Sequence, residues 1–163
     1  MSLSNLVILE EDQSRFEKTL ERLRVDSNSK LVFLLDKNGQ QLAMAGNLDG
    51  LDPTSLASLT AGNVAATDGL AKLIGEKEFS ILFHEGERDN LHINVVGEWA
   101  ILVVMFDERS SLGLVRLRVR KATGELSTIL QEVKARSEAE KSEAVGASPF
   151  TEITDEDIDA LFS

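Results

Sequence analysis

The chain has 163 residues, 42% of them apolar, which suits one globular domain with a sizeable core and a short appendage. It contains no Cys, which removes disulfides, thiolate chemistry and Cys-based zinc sites together. The net charge is −11, but residues 137–163 hold eight acids and one Lys, so the tail carries −7 and the body, near neutral, offers no basic surface for nucleic acid.

The opening MSLSNLVILEED lacks the basic start and apolar run of a secretory signal. The longest apolar run, AILVVMF, is far too short to span a bilayer, so a soluble cytoplasmic protein is expected. Phe16, Leu20 and Leu23 recur at roughly helical spacing and predict a short surface helix over 14–24. The run LVFLL predicts a strand at 31–36, and Asn38-Gly39 predicts a type I′ hairpin into a second strand at 40–45. Asp36-Lys37-Asn38-Gly39 has a passing likeness to a calcium loop, but its Gly comes too early and the ligand ladder is missing.

Asp52-Pro53-Thr54 opens a helix over 54–74, with Pro at the first position and Gly75 as a natural stop. Three strands are predicted at 79–85, 91–96 and 99–106, joined by hairpin-like connections. WAILVVMF and LVFLL are apolar on both faces, so they belong to central strands covered by helices above and below. Over 112–136 a strand-like alternation (VRLRVRK) competes with a helical repeat. The helical repeat, Leu112, Val115, Val119, Ala122, Leu126, Ile129 and Val133, runs on where the alternation stops, so a helix is predicted. Arg116, Arg118, Arg120 and Lys121 then form a mostly solvated shoulder, with a binding role as the lesser alternative. Residues 137–148, rich in Glu, Ser, Ala and Lys, read as a linker with little reason to fold. The division is therefore 1–136 as the folded domain and 137–163 as an acidic linker ending in a short amphipathic helix. Hairpin-joined strand pairs among helices give an α+β fold with an antiparallel sheet.

No chemistry stands out. His84 and His92 lie on the more polar faces of their strands, where solvated side chains are expected, and His84-Glu85-Gly86-Glu87-Arg88 is not a zinc-protease motif. There is no G-x-S-x-G and no P-loop. No cofactor, metal or catalytic constellation is predicted.

The helix over 54–74 is unusual in being crowded with small residues. One stripe, Leu56, Leu59, Asn63, Ala66, Leu70 and Leu73, is expected to pack on the sheet. The opposing stripe, Ala57, Ala61, Ala65 and Gly69, with Asp68 and Lys72 beside it, would let another backbone approach closely. A mid-helix Gly costs up to ~1 kcal/mol against Ala, which is justified if a partner docks there. Contact with another part of the same chain is set aside, because the two other long helices are needed on the far side of the sheet, which leaves a second copy, a foreign partner, or both.

The order of elements and the segments KLVFLLDKNGQ, TSLASLTAGNVAATDGLAKLIGE, FHEG, VVMFDERSSLGLVRLRVRKA and SPFTEITDEDIDALF resemble the roadblock/dynein light-chain family, in its bacterial polarity-protein branch, over nearly the whole chain. The resemblance implies a roadblock-type α-β-β-α-β-β-β-α fold. Its five-stranded antiparallel sheet carries the second helix on one face and the first and third on the other. It implies a homodimer that joins edge strands and sets the two second helices side by side. On that platform a Ras-like small GTPase of the MglA type docks, at Ala61, Ala65, Asp68, Gly69 and Lys72 of this sequence. It further implies activation of the GTPase, in cell polarity and gliding motility and concentrated at a cell pole. No arginine finger is donated: the GTPase supplies its own catalytic residues and the dimer positions them. Arg109 is then a structural or rim charge.

In the tail, Thr154 can cap a helix whose first turn is acidic, and Ile153, Ile158, Leu161 and Phe162 make a small apolar face. So short a helix orders mainly on binding. The resemblance gives it a GTPase contact away from the main platform. The segment is also similar to short acidic peptides that dock on receiver domains, which keeps a non-catalytic scaffold, recruiting partners through this peptide, as the alternative.

Overall fold

A computed structural model describes residues 6–147. The elements are α1 (Glu10–Asp26), β1 (Leu31–Asp36), β2 (Gln41–Gly46), α2 (Pro53–Leu73), β3 (Ile81–Glu85), β4 (Asn90–Val96), β5 (Ala100–Phe106) and α3 (Leu112–Ala147). The five strands form one antiparallel sheet in the order β2-β1-β5-β4-β3. The expected element order and sheet are therefore present, and 112–136 is helical.

The sheet divides the core in two because side chains alternate along each strand. Val32, Leu34, Leu102, Val104 and Phe106 face α1 and α3, whose Phe16, Leu20, Val119, Leu126 and Leu130 close over them. Leu31, Phe33, Leu35, Ile93, Val95, Ile101 and Val103 face α2. β1 and β5 are central and buried on both sides, which is why their sequences are apolar throughout.

Local signals set the element ends. Asp52 accepts the Thr54 amide at 3.2 Å and the Ser55 hydroxyl at 2.6 Å, capping α2 just before Pro53. The β1–β2 turn departs from the expected type I′. Only Gly39 has positive φ there (+90°), and the Asp36 carboxylate accepts the amides of Asn38 and Gln40. A side chain that can bind two turn amides makes a left-handed Asn38 unnecessary.

The linker expected over 137–148 needs correction, because α3 continues to Ala147. Its Glu, Ala and Lys lose little on entering a helix, and extending an existing helix avoids a new nucleation cost. Ser137 is buried and its Oγ accepts the Val7 amide at 3.1 Å, so this stretch holds the N-terminal segment. The tail positions Ile153, Ile158, Leu161 and Phe162 lie outside the described residues. Among the described residues no helix is long and apolar enough to cross a membrane.

Candidate functional site

The second helix sorts its residues differently from the expectation. Ala57, Thr60, Ala61, Val64 and Ala71 are buried against the sheet. Leu59, Leu70 and Leu73, expected to grip that sheet, are 74%, 55% and 84% exposed. The small residues are inside because the β1–β2 turn presses on them. A Cβ built on Gly39 would lie 3.3 Å from the Ser58 Cα and 3.5 Å from the Ala61 Cβ. A backbone does approach the small stripe closely, and it is the chain's own hairpin.

The stripe's geometry explains the rest. A step of four residues overshoots a helical turn by about 40°. Ala57, Ala61, Ala65 and Gly69 therefore wind around the helix, starting beneath it and ending outside. Ala61 is a core residue, so its expected contact with a GTPase is withdrawn. Ala65, Gly69 and Lys72 are exposed, and a Cβ added at Gly69 would meet nothing within 4 Å. Asp68 is half-buried, with Oδ1 buried and without a hydrogen-bond partner.

The outer face of α2 thus has two flanks. Ser58, Gly62, Ala65, Gly69 and Lys72 form a small-residue flank. Leu59, Ala66, Leu70 and Leu73 form an apolar one. No other element of the described chain covers either. The helix crosses from the β1–β2 turn towards the sheet's far edge, where Asn63 Nδ2 lies 2.9 Å from His84 Nε2. That edge is β3, paired only with β4 and largely solvent-exposed, with Ile81 49% exposed. An open strand edge lies beside an open helix face, and both invite another chain.

The two histidines part company. His84 is exposed, as expected. His92 is 1% exposed and neither ring nitrogen has a partner, so the expected solvated side chain is a buried one. Burial, and then the Arg116 charge, push its pKa below the ordinary histidine value. The reason lies in β4, whose face towards α3 carries His92, Asn94 and Val96, all of them buried. Arg109 is engaged by its neighbour: its guanidinium donates to Asp107 at 3.0 Å, and its carbonyl accepts from Asn28 at 2.6 Å. Among the described residues no three His, Asp or Glu side chains are grouped as a metal site.

Residues 15–106 match the family model described as the Roadblock/LC7 domain. Among solved structures the chain is similar to Myxococcus xanthus MglB, at 55% identity and TM-score 0.74, covering 78% of this chain and 96% of that one. It is similar to the gliding protein MglB from Thermus thermophilus, at 37% identity and TM-score 0.72, with the same 78% and 96% coverage. An MglB with a tetrameric arrangement is similar at 36% identity and TM-score 0.73, again covering 78% and 96%. No curated protein sequence matches the chain.

Proposed function

Because the chain belongs to the Roadblock/LC7 family, we propose that it is a homodimeric regulator that stimulates GTP hydrolysis by a Ras-like small GTPase of the MglA type, in bacterial cell polarity and gliding motility. The observation that carries this reading is the uncovered outer face of α2 beside the open β3 edge. Two copies abutting along β3 bring their α2 helices together. The leucine flank, Leu59, Ala66, Leu70 and Leu73, then meets the second copy. The small flank, Ala65 and Gly69 with Lys72 and Asp68 at its rim, seats the GTPase. Small side chains matter there because a close backbone approach fixes geometry, and positioning is what phosphoryl transfer needs most from a partner with no chemistry of its own. Arg109, tied to Asp107, fits a regulator that donates no arginine finger. The tail, with Ile153, Ile158, Leu161 and Phe162, is a second contact for the same GTPase.

The test is single-turnover GTP hydrolysis by an MglA-type GTPase, with and without this protein. Ala65→Arg with Gly69→Arg is expected to leave a folded dimer, seen by sedimentation, that no longer accelerates hydrolysis. Undiminished stimulation by that variant would remove the docking site. Absence of stimulation by the unaltered protein would remove the function itself.

A further inference from the structure

On the sheet face opposite α2, a cavity of about 330 Å³ opens between the β3–β4 edge and α3. Its lining includes Ile81 on β3, His92 and Asn94 on β4, and Arg116, Arg120 and Thr123 on α3. That volume lies in the range that accepts a small molecule. The fold brings these residues together by two periodicities. His92 and Asn94 share one face of β4 at a spacing of two, and Arg116 and Arg120 share one face of α3 at a spacing of four.

The polar groups of this cavity are unequally satisfied. Asn94 Nδ2 donates to the Thr123 Oγ1 at 2.9 Å, and that hydroxyl donates onward to the Val119 carbonyl at 2.8 Å. His92 is 1% exposed and both its ring nitrogens are without partners. Buried polar side chains in folded proteins nearly always have partners, and an orphan needs a reason. Neither Arg116 nor Arg120 forms an ion pair among the described residues, although the chain as a whole is acidic. The two exposed arginines that line the cavity are positive charge without a paired carboxylate, and the buried imidazole behind them has no partner.

We propose that this cavity binds a small molecule bearing an oxyanion, a phosphate or a carboxylate. Arg116 and Arg120 hold its charge, Ile81 and Val119 border any apolar part, and the buried His92 ring lies in the wall close enough to sense it. The site lies on the face away from α2 and uses none of the residues proposed to seat the GTPase, although Ile81 also belongs to the β3 edge along which a second copy is proposed to abut.

The experiment is a titration of the full-length protein with inorganic phosphate and, separately, with acetate, at constant ionic strength. It follows the imidazole nitrogens of His92 and His84 by nitrogen-15 NMR. Saturable movement of the His92 signals, with His84 still, is expected. Response to phosphate alone assigns a phosphate site, and response to both assigns a general oxyanion site. Arg116→Gln with Arg120→Gln, at exposed positions that should not disturb folding, is expected to weaken binding about tenfold or more, through loss of two charge-assisted contacts. The proposal fails if His92 moves for neither ion. It also fails if His92 only tracks His84 without saturating, or if the double variant binds as well as the original. The unaltered protein decides the matter even if that variant does not fold.

Discussion

The two sides of the sheet are built on different rules. On one side α1 and α3 lie together and fill the space with large side chains, Phe16, Leu20, Leu126 and Leu130, all fully buried. They are also riveted to each other by charge: Arg22 pairs with Glu125 at 2.9 Å, Arg15 with Glu132, and Arg136 with Asp12. On the other side α2 lies alone, meets the sheet with Ala57, Ala61, Val64 and Ala71, and among the described residues makes no ion pair. The first side is closed by the chain itself. The second is a thin layer whose outer surface is covered by no other element among the described residues.

If that division is right, the largest loss of stability comes from the closed side. Phe16→Ala is expected to cost about 3–5 kcal/mol in urea unfolding, because the ring's contacts disappear and the cavity beneath α1 cannot collapse against two helices. The α2 side should fail in the opposite sense, by excess rather than by loss. Ala61→Leu forces a branched side chain into the space beside the Gly39 turn and is expected to destabilise by about 1–3 kcal/mol. Were Ala61 on the docking surface, the same change would shift unfolding by no more than about 0.5 kcal/mol, so one melt separates the two placements.

That second substitution also marks where the sequence could be read and where it could not. The strands were legible because an apolar run covered on both faces, as in β1 and β5, has few alternatives. Helix α3 was legible because its period outlasted the strand-like stretch. The two faces of α2 were not, because leucine is an ordinary sign of burial and alanine is a weak sign of anything. Here the space left by Gly39 admits only the small side chains, and the leucines turn outward. The clue was in the spacing: Ala57, Ala61, Ala65 and Gly69 step by four throughout, so they cannot stay on one face of a 3.6-residue helix. The heptad-like run Ala57, Ala61, Val64, Asp68 and Ala71 can, and four of its five members are buried. His92 was misplaced for a related reason. A polar residue on an alternating strand signals solvent only where no helix covers that face.

Acid should weaken the closed side through its charge pairs. Asp12 is buried, which alone would raise its pKa, but hydrogen bonds from Arg136 and from the Leu9 amide, with the Arg136 charge, hold it below the ordinary carboxylate value. A folded-state pKa that is depressed contributes stability above the unfolded value of about 3.9, and that contribution is lost as pH falls through the lower folded value. Amide protection over α1 and α3, taken relative to the intrinsic exchange rate at each pH, is therefore expected to fall in that acid window. Asp12→Asn should be less stable at neutral pH and show a shallower acid limb. An unchanged limb would mean that the pair does not hold these helices.

The smallest expected effect on stability is the one that bears most on association. Leu73 is 84% exposed, so Leu73→Ser loses almost no burial and should move the unfolding midpoint by less than about 0.5 kcal/mol if measured on the monomer. The same position sits on the leucine flank of α2, where a second copy is proposed to pack. If it does, the substitution exposes a defect only when two copies meet: sedimentation should show the dimer weakened, with Leu70→Ser adding to the effect. A dimer indifferent to both changes would move the contact off α2 and leave the β3 edge, with Ile81, as the surface that joins the copies. The contrast between a negligible folding effect and a marked assembly effect is what an outward-facing leucine should give, and an inward-facing one cannot.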